Sequence, residues 1–396
     1  MVIQIEESRI PKNTFSLFAL GFRPFFLFAA FSAISFIFIW LIHLSGKAHF
    51  IFYYSAVVWH AHEMLFGYTA AVIAGFLLTA VGNWTGTKVV HGWPLILLSL
   101  LWIAGRIVPF ISGMPHWLTA TTDILFLPVL ALLLATPIIR AKQWSNIVFI
   151  FVLLFMTAAN ALVHINVLNL ANVSLVLGNH LMVYLVIFLI VVMGGRVIPF
   201  FTERGVAGCK TRSWKVIEIL SPACVLLVAL ADLFSTNLVL TGYLALFAVV
   251  IQAVRLAGWY SNKIWSVPLV WILHLAYAWI VIGFAIKALS LFDLNISILS
   301  LHALTAGGIG VMTLGMMARV SLGHTGRELL LNSWITVAFI ILNIAVVFRV
   351  ILPILIDDYY LQLINIAGWL WAIAFTLFIV VYTPMWLQSR IDGREG

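Results

Sequence analysis

The sequence predicts an all-α, polytopic membrane bundle of about twelve transmembrane helices, forming one domain over residues 1–396. Three observations carry that prediction. Of the 396 residues, 64% are hydrophobic and 9% are charged, whereas a soluble domain carries about 25% charged residues. Twelve stretches reach the ~20 apolar residues that a spanning helix needs. All but four of the 21 lysines and arginines fall in the N-terminal tail or after even-numbered stretches, the alternation that membrane insertion imposes.

The stretches follow one another with no long linker or low-complexity segment. The first, about residues 24–44, begins in "RPFF". It is long and lacks a small-residue cleavage site, so no cleavable signal peptide is expected. The second, 55–82, opens with "WHAHEM"; the third, 92–111, carries Arg106 near its far end; the fourth covers 117–138. The fifth, 147–168, closes with His164, and the sixth, 177–199, opens with His180. Only "STN" at Ser235 to Asn237 separates the seventh, 216–235, from the eighth, 238–258. The ninth, 266–289, holds His274, and the tenth, 299–319, begins at His302; 333–353 and 362–386 complete the set. The 26 glycines and 16 tryptophans suit close helix contacts and aromatic interface belts.

The four basic residues on the other side are Lys47, Arg106, Lys287 and Arg349. The asymmetry puts both termini in the cytoplasm. The net charge of +8 is then a topology signal rather than a nucleic-acid footprint, and the expected surroundings are a lipid bilayer. Cys209 and Cys224 form no CxxC pair.

With this orientation His43, His60, His62, His164, His180 and His302 lie in the outer half of the bundle, with His49 and His116 in outer loops. Ionisable groups in hydrocarbon need a partner or a purpose. At 100° per residue His60 and His62 stand ~200° apart, so they serve different surroundings. His60 shares a face with Glu63 and with the small-residue stripe Gly67, Ala71, Gly75; plain helix packing is the alternative use of that stripe. Glu63 either orients a ligating imidazole or pairs with a buried arginine such as Arg106. His164 has Asn160 one turn below it, and His180 has Tyr184 one turn beyond. The short connection between the two helices brings both histidines toward one candidate metal site. His302 stands above Gly307, Gly308 and Gly310, which leave room for a flat ring. Met312, Met316 and Met317 read as packing more readily than as thioether ligands. Arg106 suits a haem propionate or, equally, an ion pair with Glu63 or Asp123.

Imidazoles suit iron, copper and zinc, and bis-His ligation between membrane helices holds haem. The candidate ligands are therefore His60, His62, His164, His180 and His302, with Arg106 as a cofactor contact and Glu63, Asn160 and Tyr184 supporting. The plain alternative is a set of interfacial histidines satisfied by water.

Four blocks, "GFRPFFLFA" (Gly21 to Ala29), "WHAHEMLFGYTAAVIAGFLLTAVGNWTG" (Trp59 to Gly86), "GGRVIPFFT" (Gly194 to Thr202) and "LHALTAGGIGVMTLGMMARVSLGHTGR" (Leu301 to Arg327), resemble the NnrS family. The family's usual "AVPNWTG" reads with Gly82 in place of proline here. The resemblance implies a haem- and copper-containing protein of the bacterial inner membrane, linked to nitrosative stress. It also implies nitric oxide, or a nitrosylated metal species, as what the protein meets.

"GRIVPF" at Gly105 and "GRVIPF" at Gly195 nearly repeat, a thin hint of an inverted-topology pair. No GxxxxGK[ST], HExxH or GxSxG occurs, so ATPase, zincin and lipase chemistry have no support. Two other classes stay open. A secondary transporter matches the twelve-helix layout, although "NWTGTKVVHG" lacks the charged cluster of the major facilitator type. A haem–copper respiratory reductase would show HxxxHY and a His-His pair, and neither is present. Whether the protein turns over a substrate stays open too.

Overall fold

The computed structural model describes residues 14–47, 53–87, 90–171, 174, 176–293 and 296–394. Arg9, Lys12 and Lys88, which belong to the basic majority on the side of the termini, and His49 of an outer loop lie outside the described residues. Apart from an isolated bridge between Phe15 and Gln388, the regular structure described is helical.

Twelve helices are long and apolar enough to cross a membrane. They are α1 (Phe22–Leu44), α2 (Ala56–Thr85), α3 (Trp93–Phe110), α4 (His116–Arg140), α5 (Trp144–Val167) and α6 (Leu177–Gly205). Then come α7 (Lys215–Phe234), α8 (Leu238–Trp259), α9 (Pro268–Leu289), α10 (Ser297–His324), α11 (Ser333–Leu355) and α12 (Asp357–Leu387). Most boundaries fall within a few residues of the apolar runs. The exceptions are α6 and α10, which run on past the hydrophobic core, and α12, which starts a turn early.

Burial separates interior from periphery. Over its most apolar window α2 is 83% buried, and α9 and α10 are 72% buried, against 33% for α7 and α12. Helices apolar on all sides with high burial form the centre, and those with one buried stripe face lipid. Chain neighbours from α4 to α10 pack in sequence, and α12 packs on both α11 and α1, closing the bundle. The closure is bonded. Ser16 N–H donates to Leu387 O at 2.9 Å, and the Arg23 guanidinium donates to the carbonyls of Met385, Trp386 and Gln388 at 3.3, 3.0 and 2.6 Å. The described chain therefore begins and ends at the same end of the bundle.

Small residues mediate the contacts. A side-chain carbon on Gly75 would lie 2.9 Å from the Phe26 ring, and one on Gly67 would lie 2.9 Å from Phe36 and 3.0 Å from both Arg106 and Glu63. The stripe on α2 thus seats α1 and makes room for an ion pair. The expected flat-ring space at Gly307 and Gly308 is filled by Trp279 and Ile280 of α9, and Trp371 lies against Gly310. The two near-repeats also part company: Arg106 is buried among acids, whereas Arg196 is exposed and reaches Asn146 at 3.4 Å.

Among the described residues, three helices contain π-wound segments: Glu63–Thr69 in α2, Ala303–Val311 in α10 and Val347–Ile351 in α11. Such segments are rare, and they gather at functional sites. Here the first follows directly on His62, the second follows directly on His302, and the third contains Arg349.

Candidate metal centre

Three ionisable side chains from three helices converge at the end of the bundle away from the termini. His62 of α2, Asp123 of α4 and His164 of α5 each offer one ligand atom, and these atoms lie within 4.8 Å of one another. All three residues are buried, at 3% exposure or less. Asp123 Oδ2 is 3.0 Å from His62 Nε2 and 2.9 Å from His164 Nε2. Two further groups complete the cluster. Asn160, one turn before His164, places Oδ1 3.0 Å from His62 Nε2 while its amide donates to Asp123 Oδ2 at 2.9 Å. The Tyr54 hydroxyl lies 3.3 Å from His62 Nε2 and 3.4 Å from His164 Nε2. Burial, and after it the Glu63 charge, raises the Tyr54 phenol well above its usual range, so this group faces the imidazoles as a neutral hydroxyl.

The outward-facing atoms of the cluster are held as those of metal ligands are. His62 Nδ1 donates to Glu63 Oε1 at 3.2 Å, and His164 Nδ1 faces the Tyr53 hydroxyl at 3.4 Å. A partner on the far nitrogen fixes a ligating imidazole's ring and tautomer. With Nδ1 protonated toward Glu63, neutral His62 turns a bare Nε2 lone pair toward the acceptor oxygens of Asp123 and Asn160. Electron-rich atoms in mutual contact need a cation between them, either a proton on the ring or a metal ion. Arg106 of α3 anchors the acids from behind, pairing with Asp123 Oδ1 and, at 3.0 Å, with Glu63 Oε2. Its guanidinium is thereby committed to two carboxylates rather than open to a propionate. Two imidazoles and a carboxylate, with no thiolate or thioether, suit Cu(II), Zn(II) or Fe(II) better than Cu(I).

Of the residues expected from sequence, His62, His164, Asn160, Glu63 and Arg106 come together here. Glu63 meets His62 and Arg106 rather than His60. The reason is that α2 is enclosed on nearly every side, so the offset of about 60° between positions 60 and 63 reaches a different neighbouring helix. His60 stacks on Trp40 of α1, ring centroids 4.6 Å apart and 12° from parallel, and its electrostatic neighbour is Arg349. His302 meets Arg349 too, with Nε2 2.9 Å from the guanidinium and Nδ1 donating to Ile298 O at 2.9 Å. His180 is placed with a third group: Asp232 and Lys287 are its charged neighbours. Tyr184 donates to Asp232 at 2.7 Å, and Lys287 pairs with the same carboxylate. His274 turns both nitrogens to backbone carbonyls, at 3.1 and 3.4 Å. Met312 and Met316 line an apolar cavity of about 90 Å³ with Phe26, Val72 and Met193.

Sequence reasoning took Asp123 only as a partner for Arg106, and it missed Tyr54, Trp40 and Arg349 as members of these clusters. An aspartate seven residues into an apolar helix was the available signal for Asp123. Nothing local marked the other three, because each meets its partner from a different element: Trp40 of α1 stacks on His60 of α2, Arg349 of α11 meets His302 of α10, and Tyr54 precedes α2.

A family model described as NnrS protein matches residues 16–390. No curated protein matches the chain. The match runs from the residue that bonds to the end of α12 through to the tail beyond it, so it takes in all twelve helices and every cluster described above: the chain belongs to the NnrS protein family.

Proposed function

We propose that this multi-pass membrane protein is a haem- and copper-binding protein of the bacterial inner membrane, acting in the response to nitric oxide and nitrosative stress, with both termini in the cytoplasm. The observation that carries the metal reading is the convergence of His62, Asp123 and His164, each held from outside by a partner. Copper fits that donor set, and His62 Nε2, His164 Nε2 and Asp123 Oδ2 would hold it. Bound there, copper would supply one-electron chemistry toward a small diatomic gas. The chain's own groups do the rest. Glu63 and Tyr53 fix the two rings, Arg106 pins the carboxylate, and the buried surroundings exclude water.

For haem the fit rests on a different observation. His60 Nδ1 is buried and has no hydrogen-bond partner, so it could serve as a nitrogen donor to haem iron. His60 would be the residue that holds haem, because His302 is committed to Arg349 and to the Ile298 carbonyl. The glycine space below His302 is taken by Trp279 and Ile280, so it supplies no slot for the ring.

The test is metal analysis of purified protein, with optical spectra before and after dithionite and nitric oxide. Copper near one per chain that falls in His62→Ala and Asp123→Ala, with a haem spectrum altered in His60→Ala, is the expected result. Wild-type protein free of both metals would overturn the reading and favour a secondary transporter. Gas turnover with a reductant then separates an enzyme from a binder.

A further inference from the structure

Charge accounting within the membrane leaves two arginines with no acid among the described residues, Arg319 and Arg349, and of these Arg319 lies with its guanidinium 3.6 Å from the centre of the Phe201 ring. Arg106 has Glu63 and Asp123, and Arg255 has Glu218, the Val191 carbonyl and the Tyr277 hydroxyl. Arg23 caps carbonyls at the end of α12. Arg349 of α11 is different. No ion pair among the described residues includes it. Its contacts are the ring nitrogens of His302, at 2.9 and 3.2 Å through Nη2, and Tyr360, which it bonds and partly covers. Its Nη1 is buried with no partner, and so is Nδ1 of nearby His60. Among the described residues, the cluster holds one permanent cation and two imidazoles but no acid. A permanent cation inside a membrane helix, with no acid beside it and a buried donor unused, calls for a counter-charge. Snorkelling does not supply one, because the atom is closed to the surface.

We propose that Arg349, with His302 and His60 beside it, binds a small planar oxyanion of the carboxylate or nitrite type between α2, α10 and α11. A guanidinium presents a planar fork that matches two oxygens on one centre, which a lone ammonium cannot do. The unused Nη1 and the Nη2 now turned to a neutral imidazole are adjacent arms of that fork. The π-wound segments at Ala303–Val311 and Val347–Ile351 flank the cluster on two helices, a winding that gathers at functional sites. The Trp40 ring stacked on His60 closes the apolar side. The anion reaches the site in one of two forms: as a free solute, or as the acid group of a larger bound molecule such as a cofactor carboxylate. The inference rests on this charge imbalance and not on copper at the His62 centre.

The test titrates purified full-length protein with formate, nitrite and nitrate by calorimetry, beside Arg349→Gln, Arg349→Lys and His302→Gln. Tightly bound molecules are extracted from each preparation for mass spectrometry. One saturable site in the wild type is expected. Binding is lost in Arg349→Gln and weakened about tenfold or more in Arg349→Lys, which keeps the charge but not the fork. Alternatively, an acid-bearing molecule recovered at one per chain from the wild type and missing from Arg349→Gln supports the site and identifies the bound form as its source. Neither saturable binding nor an Arg349-dependent bound acid would overturn the proposal. Arg349→Lys and His302→Gln guard against a misfolded Arg349→Gln, since each retains the packing volume. Copper retained while anion binding is lost separates this inference from the metal reading. Anion binding without copper in the wild type would sink only the latter.

Discussion

Asp123 divides its two oxygens between tasks. Oδ1 meets Arg106, and Oδ2 meets His62, His164 and the Asn160 amide. Replacing it with asparagine removes the charge on which both imidazoles converge while keeping the volume. Copper content in Asp123→Asn should fall at least tenfold, the scale on which even supporting partners of metal ligands act; elemental analysis of purified protein checks this. Arg106 should behave differently, since it touches no imidazole. Arg106→Gln leaves two buried carboxylates short of a cation, a loss of about 3–5 kcal/mol where one partner of a buried pair is removed. Its thermal midpoint in detergent should drop sharply, whether or not metal is added. A midpoint unchanged from wild type would show that the pair is dispensable. Much of this cluster was legible in the sequence, because histidine, glutamate and arginine are conspicuous in apolar helices and helical phase separates His60 from His62. The pairing of His164 with His62 across α2 and α5 was not legible, since nothing in a single chain reports which of several helix ends meet. Its expected companion His180 is placed instead beside Asp232 and Lys287.

Individual helices carry their function in departures from regularity. A strict 3.6-residue phase describes α2 up to His62, and from Glu63 the winding loosens for seven residues. Gly67 sits inside that loosened segment, where an added methyl would meet Phe36 at 2.9 Å and Arg106 and Glu63 at 3.0 Å. Gly67→Ala should cost about 1–3 kcal/mol as overpacking. Because two of the three neighbours form the ion pair behind Asp123, it should also lower copper content. Gly323, near the end of α10, has nothing within 4 Å of such a methyl. There the same substitution should stabilise by about 0.5–1 kcal/mol through helix propensity. Thermal midpoints of the two variants, measured side by side, should move in opposite directions. The π winding had no signature among these residues, which are ordinary helix formers and glycines. Helix existence was legible from length and apolarity, but local pitch is set by the polar neighbours each segment accommodates.

At the scale of the molecule, the twelve spans followed from composition and the rhythm of apolar runs. Membrane orientation comes from the basic residues alone. Reporter fusions at residues 48 and 294 should both report the side opposite the termini, and a cytoplasmic signal at either would overturn the orientation. Closure of the bundle was not readable from sequence, because it depends on contacts between the two ends of the chain. Ending the chain after residue 383 removes every carbonyl that the Arg23 guanidinium meets on α12. Such a truncation should reduce the yield of monodisperse protein severalfold, as judged by size-exclusion chromatography.

The Arg23 contact also has a consequence in time. Its acceptors lie 362 to 365 residues further along the chain. At about 5–20 residues per second of synthesis, the first helix waits roughly 20–70 s in the bilayer before the segment that satisfies it leaves the ribosome. Throughout that interval a membrane-embedded cation depends on water, lipid phosphate or a helper for its hydrogen bonds. The newborn protein is therefore most open to surveillance proteases just before its last helix is made, and slowing translation of the final codons should prolong that exposure.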